Sequence, residues 1–255
     1  MSPSPQLDPL AGLLDKIIEQ PDQDEPRLRY ALACEKRSAA DQIRAKFIRL
    51  QLQLSALPTG IDHPEWFRFA SQADELLLQH APEWTPPWFQ TDKITDVEFR
   101  RGFIEAVTVP FLAPYTWPKL FAAAPIRQLR IVNLDGDADL GRLLPILAQQ
   151  NLTALYLDAQ NLTDTAIFSI LDYGFPHLTT LSLAYNNLTN RGVSALAEAS
   201  HPTGPLPNLR TVNLQGNPFD PIEQLYEDQG ILVSRHIPTG AADLPQAPWL
   251  LQSRQ

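Results

Sequence analysis

The sequence predicts an α/β chain, a short right-handed solenoid with a parallel sheet inside and helices outside, preceded by an all-α N-terminal module. Three observations predict it. A six-residue apolar pattern returns four times along the second half of the chain. Each return leads into a turn and then a helix-like segment. Residues 1–90 instead carry apolar side chains at helical spacing.

The returning pattern is LxxLxL. It reads Ile126-Arg-Gln-Leu129-Arg-Ile131, Leu152-Thr-Ala-Leu155-Tyr-Leu157, Leu178-Thr-Thr-Leu181-Ser-Leu183 and Leu209-Arg-Thr-Val212-Asn-Leu214. The first three start 26 residues apart and the fourth follows after 31, with His201–Pro207 as a loop insertion. Asn186 and Asn217 stand three residues beyond Leu183 and Leu214. Leu144, Ile170 and Leu196 fall fifteen residues after Leu129, Leu155 and Leu181, one inward apolar side chain at the same point of each unit. Thr, Asp or Asn side chains just before the helical stretches, as in Asn161-Leu-Thr-Asp and Asn187-Leu-Thr-Asn, can cap free helix amides. Strand, turn and helix make the unit, and stacking such units is what creates a core.

With its asparagine turn this pattern resembles the leucine-rich-repeat family. The resemblance implies that the turn side chain bonds backbone groups and forms a ladder between repeats. Gln160 takes the asparagine place in the second repeat and Leu134 in the first, so the ladder of Gln160, Asn186 and Asn217 is expected to weaken toward its N-terminal end.

The expected division is 1–90 for the helical module and cap and 91–255 for the repeat domain. The latter comprises a degenerate repeat 103–125, repeats 126–151, 152–177, 178–208 and 209–230, and a C-terminal cap 231–255. The degenerate unit is read from Ile104-Glu-Ala-Val107-Thr-Val109 and a short helix over 115–123. At the other end, Ile222–Asp228 suits a helix, Gly230 a stop and Ile231–Ile237 a last strand, with Trp249 and Leu250 in a Pro-rich tail.

In residues 1–90, Leu10, Leu13, Leu14, Ile17 and Ile18 form one helical face, and Ile43, Phe47, Leu50, Leu54 and Leu57 another. Trp66, Phe69, Ala73, Leu76 and Leu77 form a further face. Four helices are expected, counting Asp24–Arg37, with Pro82–Trp88 as a packed junction. Pro26-Arg-Leu-Arg-Tyr30-Ala31 and Phe47-Ile-Arg-Leu-Gln51 are similar to the bacterial repeat-companion domain, a module that precedes repeat arrays and has no established activity. Arg101-Gly-Phe-Ile-Glu-Ala-Val-Thr-Val109 resembles the link into repeats of such proteins.

The composition narrows the function. Net charge is −9, spread as −4 over residues 1–102 and −5 over 103–255, and an acidic surface repels phosphate backbones. No nucleic-acid partner is expected. Cys34 is the single cysteine, which excludes an internal disulfide and a cysteine zinc site and suits a reducing compartment. The first residues lack the features of a secretory signal and no run reaches membrane-span length, so a cytoplasmic protein without a membrane partner is expected.

Phosphate-loop, dinucleotide, zinc-helix and nucleophile-elbow motifs are absent from the sequence, so no cofactor, no metal and no catalytic residues are expected. Asp135-Gly-Asp137-Ala-Asp139 fails as a calcium loop, because Leu140 and Ile146 stand where Gly and Glu are required. It reads instead as an acidic inter-repeat loop. Cys34, beside Glu35, reads as a buried structural thiol, and Arg44, Lys46 and Arg49 as a solvated helix face.

Alternation along a strand turns every second side chain away from the leucines. This places Thr108, Arg130, Tyr156, Ser182 and Asn213 in one outward row and Val132, Asp158, Ala184 and Gln215 in the next. On the concave sheet that the family resemblance implies, Thr108, Arg130, Val132, Tyr156, Asp158, Ser182, Asn213 and Gln215 are the candidate partner-binding residues, with Arg130 and Tyr156 as anchors. The expected function is a non-catalytic protein–protein interaction module, a monomer when alone, whose partner is another protein. The alternative is an immunity or antitoxin-like inhibitor whose acidic surface neutralises a toxin.

Overall fold

Arg101 and Gly102 both have positive φ, 46° and 86°, the backbone of a two-residue hairpin turn. They join β1 (Thr95–Arg100) to its sheet neighbour β2 (Phe103–Pro110), and so short a link permits only antiparallel pairing. The structure is a computed structural model and describes residues 9–57, 64–112, 116–219 and 232–234. The chain divides into two units, residues 1–107 with 115–126 and residues 108–114 with 127–255.

The first unit holds α1 (Pro9–Glu19), α2 (Glu25–Glu35), α3 (Ala39–Ala56), α4 (Pro64–Trp84), α5 (Trp88–Thr91), the hairpin as far as Val107, and α6 (Thr116–Ala123). From α1 to α4 each helix packs on the next. A core shared by α1, α2 and α3 consists of Leu10, Ile17, Ala31, Cys34, Ala45, Ile48 and Leu52 together with Phe103 of β2. Ser38 and Asp41 close the start of α3 with reciprocal bonds between side chain and backbone, which satisfies two otherwise free amides.

The residues that carry the companion-domain resemblance meet around the hairpin turn. Arg27 is fully buried and donates to Glu105 Oε1 at 2.7 Å and to the Pro21 carbonyl at 2.9 Å. Arg101 adds a second guanidinium to the same carboxylate oxygen at 3.0 Å. Tyr30 packs edge-on against Phe103. Gln51 accepts from the Gly102 amide at 2.8 Å and donates to the Phe99 carbonyl at 3.1 Å. Burial lowers the Arg27 guanidinium to about 10 despite Glu105, and pushes the Glu105 carboxyl above its ordinary range despite both arginines.

Two readings of this unit change. Helix α4 runs on through Pro82 to Trp84, and Thr85 closes it by giving both its N–H and its hydroxyl to the Ala81 carbonyl. Pro82–Trp88 is therefore mostly helix end and helix start. The basic cluster on α3 is also not one solvated face. Lys46 is exposed and Arg49 pairs with Glu35 at 2.7 Å, but Arg44 turns inward among aromatic rings. Cys34 is buried.

The second unit alternates strands and helices: β3 (Gln128–Val132), α7 (Asp137–Leu147), β4 (Ala154–Tyr156), α8 (Asp164–Tyr173), β5 (Thr180–Ser182), α9 (Asn190–Ala199), β6 (Thr211–Asn213) and β7 (Leu232–Ser234). Its strands pair in chain order and all in parallel. Leu129, Leu155, Leu181, Val212 and Val233 are register partners across the sheet. The first four are wholly buried, as are Leu144, Ile170 and Leu196 of the helices. The fold is thus mixed α/β with a mostly parallel sheet. Of the last strand expected over Ile231–Ile237, residues 232–234 are described; the helix of Ile222–Asp228, Gly230 and the tail with Trp249 and Leu250 lie outside the described residues.

Candidate functional site

The outward surface of the sheet is set by the turns that follow each strand. Asn133, Ala159, Tyr185 and Gly216 occupy the same place in successive repeats, and all have positive φ, between 56° and 72°. Because that conformation costs a side-chain-bearing residue about 1–2 kcal/mol, something must hold it. The backbone pairing does so by continuing past the strands: Ala159 N–H donates to the Ala184 carbonyl at 2.8 Å and Tyr185 N–H to the Gln215 carbonyl at 2.6 Å.

The side chains of the turn supply the rest. Asn186 accepts from the Gln160 and Leu162 amides at 2.9 and 3.0 Å and donates to the Leu157 and Leu183 carbonyls, both at 2.9 Å. Asn217 repeats the arrangement, accepting from Leu188 N–H at 3.1 Å and donating to the Leu183 and Leu214 carbonyls. Gln160 is longer by one methylene. It accepts from the Leu134 amide at 2.7 Å, but its amino group returns to the carbonyls of Asp158 and Ala159 in its own turn. The ladder persists at Gln160 with fewer bonds to the preceding repeat.

A second ladder, which sequence reading missed, runs along the helix starts. Asp137 accepts from the amide and hydroxyl of Thr163 at 2.9 and 2.5 Å, and Asp164 does the same for Thr189 at 2.8 and 2.5 Å. Thr163 and Thr189 in turn cap α8 and α9. The signal was available, since each threonine follows its carboxylate by 26 or 25 residues. In the Asp135–Asp139 loop, Asp139 is likewise engaged, by the Asp135 amide at 3.0 Å and by Arg142 at 2.8 Å.

On this frame Arg130, Asp158, Ser182, Asn213 and Gln215 of the predicted outward rows come together as one hydrogen-bonded belt, which among the described residues does not extend to Thr108 or Val132. Arg130, Tyr156, Ser182 and Asn213 are register partners. Arg130 Nη1 donates to Asp158 Oδ2 at 3.3 Å, and its guanidinium lies 5.2 Å from the Tyr156 ring centroid. Asp158 Oδ1 accepts a short bond from the Ser182 hydroxyl and another from the Ala184 amide at 2.9 Å. Asn213 donates to the Ser182 hydroxyl at 3.1 Å and accepts from the Gln215 amide at 3.2 Å, while Gln215 Nε2 donates to the Tyr185 hydroxyl at 2.7 Å.

Exposure divides the predicted residues. Arg130, Val132, Tyr156, Asp158 and Asn213 are half-buried, whereas Thr108, Ser182 and Gln215 are buried, Ser182 and Gln215 acting as supports through their bonds to Asp158 and Tyr185. Tyr185, 55% exposed, was not singled out in the sequence, because its turn position says nothing of which way the ring lies. The belt carries one positive and one negative side chain that pair with each other, so it offers a near-neutral polar surface with two tyrosines. Among the described residues no group of three or more His, Cys, Asp or Glu could hold a metal ion, and no helix is long and apolar enough to cross a membrane.

A search of the curated proteins returns no match for the chain. Residues 176–197, which carry β5, its asparagine turn and the first part of α9, match the family model described as Leucine Rich repeat, and this supports a leucine-rich-repeat protein.

Proposed function

We propose that this chain is a non-catalytic protein-binding protein, a right-handed leucine-rich-repeat solenoid that takes its partner on the outward face of the sheet. Parallel strands joined by helical crossovers are right-handed in about 98% of cases, which supports the handedness. Leucine-rich repeats commonly mediate protein–protein interaction, which supports the function class. Residues 1–90 are read as the repeat-companion module of a bacterial protein.

The observation that carries the site is the belt itself. Arg130, Asp158, Ser182, Asn213, Gln215 and Tyr185 are fixed by one another before any partner arrives. A partner that docks on fixed side chains gives up less ordering entropy, and Tyr and Arg are the residues that most often anchor interfaces.

The test is recovery of partners from native cells with the full chain, compared with Arg130→Ala, Tyr156→Ala and Tyr185→Ala chains and a Tyr173→Ala control. Tyr173 is exposed at the end of α8, away from the belt residues in sequence and register. A partner lost in the three belt variants and kept in the control supports the reading. A partner retained by all four places binding elsewhere. A toxin among partners that depend on the belt would select the inhibitor form of the same reading.

A further inference from the structure

Arg44 stands in the middle of α3, and its guanidinium is enclosed by rings brought from three other elements. Its central carbon lies 4.6 Å from the Trp84 ring centroid, 5.3 Å from Phe103, 5.4 Å from Phe99 and 5.5 Å from Phe47 of its own helix. Trp84 is held in place in turn, tilted on Phe47 at 4.7 Å and stacked on His80 at 5.5 Å.

Aromatic faces attract a cation through their quadrupole, but they offer no lone pair to an N–H. Nη1 of Arg44 is out of solvent and has no hydrogen-bond partner among the described residues. No carboxylate there forms an ion pair with it. Burial lowers the guanidinium to about 10, which leaves it charged at neutral pH. A buried charge is ordinarily paired, since taking it out of water without a partner is costly.

Beside it lies an open cavity of about 350 Å³, lined by Arg44 with Leu14, Tyr30, Trp84, Phe103 and Ile104 and by Ala123 and Ala124 at and just beyond the end of α6. That volume is in the range of small-molecule sites. Asp41 and Glu83 also line it. Both have partners: Asp41 accepts from Ser38, and Glu83 faces His80 at 3.2 Å. Their negative charge disfavours a dianion such as phosphate, while the single cation beside the Leu14, Trp84 and Phe103 side chains suits one negative charge on a compact apolar body.

We propose that this cavity binds a monocarboxylate with a compact apolar body, its carboxylate set against the part of the Arg44 guanidinium that lines the cavity while the body rests against Trp84, Phe103 and Leu14. The site lies within the first unit and is independent of the sheet-face reading. The same chemistry is available from a free organic acid and from the C-terminal carboxylate of a peptide that ends in an apolar residue.

The experiment is titration calorimetry on the full chain with benzoate, benzamide, inorganic phosphate, acetyl-alanyl-leucine and the C-terminal amide of that dipeptide. Arg44→Met removes the charge and keeps the stem, and Ala123→Phe takes up cavity space while the Arg44 charge stays in place. Circular dichroism shows that each is folded. The expected result is saturable one-to-one binding of benzoate or of the free-acid dipeptide, with no binding of the amides or phosphate. Both substitutions should weaken it by at least about tenfold, equal to about 1.4 kcal/mol. Benzoate binding points to a free acid as the source, and binding of the dipeptide alone to a peptide end. The proposal is overturned if neither acid binds saturably, if the amides bind as well as the acids, or if Arg44→Met leaves the affinity unchanged. If Arg44→Met does not fold, the same comparison rests on Ala123→Phe and the acid-against-amide difference.

Discussion

The ring of Tyr185 occupies the space that a side chain at Gly216 would need: a Cβ built on Gly216 falls 2.5 Å from Tyr185 Cδ1. The two residues hold the same place in consecutive repeats, with φ of 56° and 72°. Gly216→Ala therefore combines a left-handed alanine with a collision, and a loss of about 1–3 kcal/mol is expected in urea denaturation. Tyr185→Ala removes the collision but not the strain. The double variant should then be less destabilised than the two single losses added together, and strict additivity would show that ring and glycine do not meet.

In the first unit the same argument applies more severely at Gly102. A Cβ there would lie 2.5 Å from Ile48 Cγ1 and 2.8 Å from Ile48 Cα, and the φ of 86° already disfavours any side chain. Backbone cannot move aside as a flexible side chain can. Gly102→Ala should cost about 3 kcal/mol or more, enough to lower soluble yield several-fold, and thermal melting of the purified variant checks it.

Asn186 and Gln160 occupy one motif position but do different amounts of work. Asn186→Ala leaves the Gln160 and Leu162 amides and the Leu157 carbonyl without the partner shown here, at about 1–3 kcal/mol for each group that stays buried and unmet. Gln160→Ala strands only the Leu134 amide in the preceding repeat. The expected order of destabilisation is Asn186→Ala well above Gln160→Ala, and equal denaturation midpoints for the two would contradict it.

Arg44 links the proposed acid site to stability. With the Arg44 pKa lowered by burial to about 10, the unfolded chain holds the proton more tightly than the folded one. Burial of the charged form thus opposes folding at neutral pH, and this opposition fades as pH rises through about 10 toward the ordinary arginine range. Arg44→Met is expected to match or exceed the parent in stability at pH 7. Its advantage should shrink in denaturation series carried upward from pH 9, and an advantage that grows with pH would contradict the sign.

The repeat register was legible because it needs only a period: Leu129, Leu155, Leu181 and Val212 were placed as stacked neighbours from spacing alone, and they pair so. The outward rows followed from alternation. Burial within those rows did not, since Ser182 and Arg130 alternate alike and differ only in what lies above them. Arg44 was unreadable for a related reason. Between Ile43 and Phe47 it looks like the polar edge of an amphipathic helix, and the rings that cover it arrive from Trp84, Phe99 and Phe103, forty or more residues later. The Arg27–Glu105 pair spans 78 residues and leaves no local trace.

The amide ladder also has a direction. Asn217 completes the turn at Leu188, Asn186 the turn at Gln160 and Leu162, and Gln160 the turn at Leu134, so every rung is provided by the later unit for the earlier one. During synthesis a unit emerging from the ribosome stays unfinished until its successor, some 26–31 residues behind, has followed it out. The array must then zip up from its start with a lag of one unit. Loss of a late rung, as in Asn217→Ala, should register first as faster hydrogen exchange at Leu188, one unit upstream of the change.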